Sequence, residues 1–221
     1  MHPLDADLRE GLRALALDLA DLQVQQLLAY VDLIGKWTKV YNLTAVREPA
    51  EMLTHHLLDS LAVIAPLRRQ LASLGFADAA PVRLLDVGSG AGLPGVVIAI
   101  CCPHIAVHCV DTVAKKAAFI QQVAASLKLA NLRGIHARVE SLTEPYDVVS
   151  SRAFASLVDF VTWSQAALAG QGVWMAMKGK HPTEEMAVLP SSAQVFHVEQ
   201  LVVPGLDAER CIVWMRKDRA A

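Results

Sequence analysis

The sequence predicts an α/β fold, a doubly wound and mostly parallel sheet of seven strands with an N-terminal helical extension. Three observations predict it. Up to about residue 65, leucines and other apolar residues recur at helical spacing. Beyond about residue 81, short apolar runs alternate with amphipathic stretches, the pattern of parallel strands joined by helices. The first of those runs ends in a glycine-rich loop.

Leu4, Leu8, Leu12, Leu15 and Leu19 define one face of a first helix. Val24, Leu27, Leu28, Val31, Ile34 and Trp37 define a second. Tyr41-Asn42-Leu43-Thr44 is a polar break, and Pro49, favoured in a first turn, opens a third helix. That helix carries Met52, Leu53, His56, Leu57, Ser60, Leu61 and Ile64. Residues 82–87 form a buried strand, and 96–102 a helix with Pro94 near its start. Residues 106–111 form a second strand, followed by an amphipathic helix over 113–129 with Val113, Ala117, Ile120, Val123 and Leu127 on one face. Strands follow at 132–137, 147–150 and 172–178, with helices over 157–168 and 183–189. Residues 195–203 and 210–216 close the chain as an antiparallel hairpin around Pro204-Gly205. Residues 1–65 are expected to pack as a helical extension on a single compact unit formed by residues 66–221. Ligands of such sheets lie at the carboxyl ends of the strands.

The composition narrows the function. The chain has 221 residues, 54% hydrophobic and 19% charged, with Lys+Arg 20 against Asp+Glu 22 and a formal net charge of -2. That excludes a disordered chain. It argues against a strongly basic nucleic-acid clamp, so any contact with RNA must use locally gathered charge. Cys101, Cys102, Cys109 and Cys211 sit in apolar runs and form no CxxC pair, as expected of reduced thiols in a cytoplasmic protein without a metal site. The N-terminal stretch MHPLDADLRE has no apolar signal core, and no run approaches the roughly 18 apolar residues of a membrane helix.

The strongest local signal is Asp86-Val87-Gly88-Ser89-Gly90-Ala91-Gly92-Leu93-Pro94-Gly95, between a predicted strand and a predicted helix. Asp111 ends the next strand, where a carboxylate can accept hydrogen bonds from the ribose hydroxyls of a nucleoside. Gly90, Gly92 and Gly95 formally match the dinucleotide fingerprint GxGxxG. The register is wrong, because the glycine directly after the strand is Gly88, and counting from it puts Leu93 at the third glycine. Counted as DxGxGxG from Asp86, every position fits, which is the pattern of S-adenosylmethionine-dependent methyltransferases. An NAD-dependent oxidoreductase and a purely structural turn are the other readings of these residues. Arg138-Val139-Glu140, after the third strand, is either a second cofactor element or a surface loop.

Lys36-Trp37-Thr38-Lys39-Val40-Tyr41-Asn42-Leu43-Thr44-Ala45, with His55-His56-Leu57-Leu58-Asp59-Ser60-Leu61, resembles the N-terminal signature of the 16S ribosomal RNA guanine-N7 methyltransferases, also called the glucose-inhibited division protein B family. The glycine loop, Asp111-Thr112-Val113-Ala114-Lys115-Lys116, Arg138-Val139-Glu140, Ser151-Arg152-Ala153-Phe154-Ala155-Ser156-Leu157 and Met177-Lys178-Gly179 resemble it too. Thr112 stands where the family often has serine, and the likeness fades after about residue 180. The resemblance implies a sheet of the class I S-adenosylmethionine methyltransferase type. It implies methylation at N7 of one guanine in the decoding-region loop of small-subunit RNA, with S-adenosylmethionine as cofactor. It also implies that Gly88, Leu93, Val139, Glu140 and Arg152 contact that cofactor. Gly90, Gly92 and Asp111 join them from the loop pattern.

Guanine N7 carries a lone pair and no proton, so it can attack a sulfonium methyl without a general base. Catalysis is then positioning of the reactants in line. Arg152 and Lys178 are the candidates for that positioning. Lys115, Lys116, Phe154, Lys178 and Lys180 are candidates for RNA contact, against the plainer readings of surface lysines and a core phenylalanine. His55, His56 and Asp59 share a helical region, yet no third and fourth ligand is spaced for a metal. His56 and Asp59 are expected instead to cap the active-site side or to hold the extension against the sheet. The expected partner is 16S ribosomal RNA, in the small subunit or an assembly intermediate, bound by a monomer. A non-catalytic S-adenosylmethionine sensor is the third alternative.

Overall fold

A computed structural model describes residues 2–76 and 80–218. Its sheet has seven strands in the order β3-β2-β1-β4-β5-β7-β6. They are β1 Val82–Val87, β2 Ile105–Asp111, β3 Leu132–His136, β4 Tyr146–Arg152, β5 Leu168–Lys178, β6 Ala193–Leu201 and β7 Arg210–Lys217. The first five run parallel; β7 inserts antiparallel between β5 and β6. The chain reverses direction across the sheet between β1 and β4, the switch point at which ligands of such folds bind.

Side chains of each strand alternate between two apolar layers. Leu84, Val107 and Met175 face the layer built by α1 Asp5–Ala14, α2 Asp21–Tyr41 and the helices after them, together with α6 Gly95–Cys101 and α7 Ala114–Leu127. Leu85, Val149 and Trp174 face the opposite layer with α8 Leu157–Ser164. The N-terminal helices share one continuous core with the sheet: Leu8, Leu27, Ile34 and Leu57 belong to the same buried cluster as Leu84 and Val107. No helix among the described residues is long and apolar enough to cross a membrane.

Three expectations about elements change. The third predicted helix is a chain of short pieces. Helix α3 Pro49–Met52 runs into a π-helical turn, Leu53–Leu58, then α4 Asp59–Leu61 and α5 Ile64–Ser73. Residues 56–64 are all buried, so no exposed stripe keeps a 3.6-residue register there. The helix predicted over 157–168 ends at Ser164, whose buried hydroxyl donates to Phe160 O (2.5 Å) and accepts from Trp174 Nε1 (2.9 Å). Strand β5 begins at Leu168 instead of residue 172. Its first turn of sequence, Leu168-Ala169-Gly170-Gln171-Gly172, carries no apolar alternation, and the pairing with β4 is irregular near Tyr146 and Val148.

Candidate active site

The glycine loop is held from three sides. Asp86, fully buried at the end of β1, accepts hydrogen bonds from Gly95 N–H (2.9 Å) and Ser150 O–H (2.8 Å). Burial raises its carboxyl to about 6, against the opposing pull of those donors and of Arg152. Tyr30, buried on α2, donates its hydroxyl to Ala91 O at 2.6 Å, so the helical extension fixes the loop directly. Asp111, at the end of β2, accepts from Gly90 N–H (3.0 Å) with one oxygen and from Val113 N–H (2.9 Å) with the other. Lys116 Nζ stands 3.6 Å from the same carboxylate.

Gly88 needs to be glycine. Its φ is +64°, and a Cβ there would lie 2.1 Å from Phe154 Cδ2. The Phe154 ring thus packs against this backbone, and it meets the Trp163 ring at a centroid distance of 5.9 Å with the planes 80° apart. Together these groups form a cleft of about 380 Å³ at the carboxyl edge of β1, β2 and β3, lined by Gly88, Asp111, Val139, Glu140, Phe154 and Trp163. Lys116 and Arg138 also border it.

A second cavity of about 410 Å³ adjoins the first, sharing Ala153. His55, His56, Asp59, Arg152, Lys178 and Arg210 line it. Asp59 is buried between two guanidiniums: Arg152 Nη1 reaches one oxygen at 2.7 Å, and Arg210 Nε the other at 2.8 Å. Arg152 also donates to His55 O (3.1 Å). Burial and nearby Arg152 lower the His56 pKa, so this imidazole is neutral at pH 7. Its Nε2 lies 2.7 Å from Thr44 Oγ1, joining the Asn42-Leu43-Thr44 break to the cavity wall. Lys178 Nζ donates to Ala155 O (3.0 Å) and pairs with Glu185 (2.8 Å).

The predicted site residues thus divide. Gly88, Asp111, Val139, Glu140, Phe154 and Lys116 stand at the first cleft. Gly90 turns its amide to Asp111, while Gly92 packs on Ile120 and Val96 and Leu93 lies in the core, so these three shape the cleft from behind. Arg152 and Lys178 stand at the second cavity. Lys115 lies over the Tyr41 ring at 5.3 Å, and Lys180 is exposed near the end of β5. Asp59 does tie the extension to the sheet edge, through arginines. Trp163 and Arg210 escaped the sequence reading. Trp163 is a half-exposed tryptophan on an amphipathic helix, a signal that was there to use. Arg210 carried none, because only the antiparallel insertion of β7 brings the start of that strand to the carboxyl end of β5.

A family model for rRNA small subunit methyltransferase G matches residues 23–213. The chain belongs to this family. It is 72% identical to Ribosomal RNA small subunit methyltransferase G of Albidiferax ferrireducens over 221 aligned positions, 98% of this chain and 99% of that one. The protein of the same name from Polaromonas sp. is 70% identical, covering 98% and 95%. Among solved structures, the magnesium protoporphyrin IX methyltransferase of Synechocystis with bound S-adenosylmethionine superposes with a TM-score of 0.59 at 10% identity, covering 85% of this chain and 97% of that one. A SAM-dependent methyltransferase from Aquifex aeolicus gives 0.51 at 15% identity, covering 71% and 92%. Those two share the fold, the class I methyltransferase type expected from the sequence. Family membership makes the chain an S-adenosylmethionine-dependent ribosomal RNA methyltransferase, and the glycine loop does not belong to an oxidoreductase.

Proposed function

We propose that the chain methylates N7 of one guanine in the 16S RNA of the small ribosomal subunit, with S-adenosylmethionine held in the first cleft and the target nucleotide in the second cavity. The observation that carries this reading is the junction at Ala153. A cleft whose two carboxylates, Asp111 and Glu140, are balanced by Lys116 and Arg138 meets a cavity in which Arg152, Lys178 and Arg210 outnumber Asp59. The first cleft fits the cofactor: its volume lies in the range of small-molecule sites, and Asp111 is a buried acceptor beside the glycine loop. Asp111 would accept from the ribose hydroxyls, Val139 and Glu140 would border the adenine, and Gly88 would admit close backbone approach. Phe154 and Trp163 would cover the bound nucleoside. The cofactor supplies an electrophilic methyl group.

The protein's own work is positioning. N7 needs no base, and the one buried carboxylate of the second cavity, Asp59, is already tied to two arginines. Arg152 and Lys178 would set the nucleotide and the amino-acid end of the cofactor on either side of Ala153. Lys115, Lys116 and Lys180 would meet RNA phosphates around the rim. With a net charge of -2, affinity for arbitrary RNA is weak, and recognition depends on a shaped ribosomal substrate. The enzyme would work as a cytoplasmic monomer, where small subunits are made.

The test is transfer of radiolabelled methyl to small-subunit particles lacking the modification, followed by mapping of the methylated nucleotide. Label at a guanine N7 is expected. Tight S-adenosylmethionine binding without any transfer would replace the enzyme by a sensor.

A further inference from the structure

The cation arrangement in the second cavity goes further, resting on the proposed guanine-N7 reaction. Arg210 opens β7, and its neighbour Cys211 pairs across the sheet with Lys178. The antiparallel strand thus delivers a guanidinium to the edge at which the parallel strands end. Asp59 accepts from Nε of Arg210 and Nη1 of Arg152, Arg210 Nη1 donates to Glu209 O (2.8 Å) and Arg152 Nη1 also donates to His55 O (3.1 Å), so both guanidiniums are held through Nε or Nη1 and neither Nη2 takes part in these bonds. Ala153 and Met177 add apolar surface to the same cavity.

We infer that Arg210 reads O6 of the target guanine and that Asp59 is the positioning residue that aims it. Arginine is the common partner of the guanine edge bearing O6 and N7. Here N7 must stay free to attack, so the guanidinium serves O6 alone. Adenine would turn an amino group toward these donors and leave two sets of N–H groups opposed. The carboxylate matters for charge as well. Methylation makes the purine cationic, and Asp59 brings the local charge of two arginines down from +2 to +1.

The test removes each half of the contact in turn. Small-subunit particles are reconstituted on 16S RNA ligated with guanine or with 2-aminopurine, which lacks O6, at the methylated position. Arg210→Gln is expected to lower kcat/KM on the guanine RNA by about 10- to 100-fold and to leave the Kd for S-adenosylmethionine within about twofold. On the 2-aminopurine RNA, where the wild type has already lost the contact, the same substitution should cost less than about threefold. An equal penalty on both RNAs would overturn the assignment and make Arg210 a phosphate or folding residue. Arg210→Lys, which keeps a cation beside Asp59 but not the planar fork, should repeat the pattern and serves if the glutamine variant lowers Tm. Failure of the wild type to methylate the guanine RNA would overturn the underlying reaction, a result distinct from a penalty that persists without O6.

Discussion

Asp111 anchors the glycine loop and is proposed to hold the cofactor ribose, and one substitution tells the two roles apart. Its two oxygens accept from Gly90 N–H and Val113 N–H. In Asp111→Asn, one of those amides meets an NH₂ group instead of an oxygen. A single hydrogen bond to a charged acceptor is lost, at about 1.5–3 kcal/mol. For a chain of this size, each kcal/mol moves Tm by roughly 2–4 °C, so a drop of roughly 3–12 °C is expected. The second loss appears only on binding. A ribose hydroxyl gives up its charged acceptor, which weakens S-adenosylmethionine by about 10- to 150-fold. Calorimetric titration well below both melting temperatures measures the second effect free of the first. A Kd within twofold of wild type, together with the lowered Tm, would refute the ribose assignment and leave Asp111 a loop anchor.

Two further predictions concern the framework. The buried carboxyl of Asp86 is raised from 3.8 to about 6, so its contribution to folding is full below 3.8 and is lost as pH rises through about 6. About two pKa units correspond to about 3 kcal/mol. Urea melts of Asp86→Asn, which keeps the shape without the charge, should lack that part of the slope between pH 4 and 6; an unchanged slope would mean that other groups produce it. Gly134→Ala would place a Cβ 2.4 Å from Ala117 O, in the backbone of α7, which must then move off β3. Destabilisation of at least about 1–3 kcal/mol should follow, read as a lower urea midpoint; an unshifted midpoint would show that α7 slides on the sheet at little cost.

What is encoded within about two dozen neighbouring residues was legible along the chain. Strand β1 and the loop after it were legible because an apolar run followed by glycines is a local backbone instruction. Asp111 was legible because one βα unit fixes its distance from that loop. The closing hairpin was visible as two strands with a turn between them. Helix register failed where residues 56–64 are buried all round, since a helix without a wet face has no stripe to read.

Which of those strands are neighbours, and through that the second cavity, is settled by long-range packing. The order β4-β5-β7 sets Arg152, Lys178 and Arg210 along one edge. Asp59, 151 positions before Arg210, binds it from the helical extension. Tyr30 reaches Ala91 over 61 positions to hold the glycine loop. Such partners are chosen by strand order and by the packing of one layer on another. No periodicity records them, because each residue's own neighbours in sequence are indifferent to the choice.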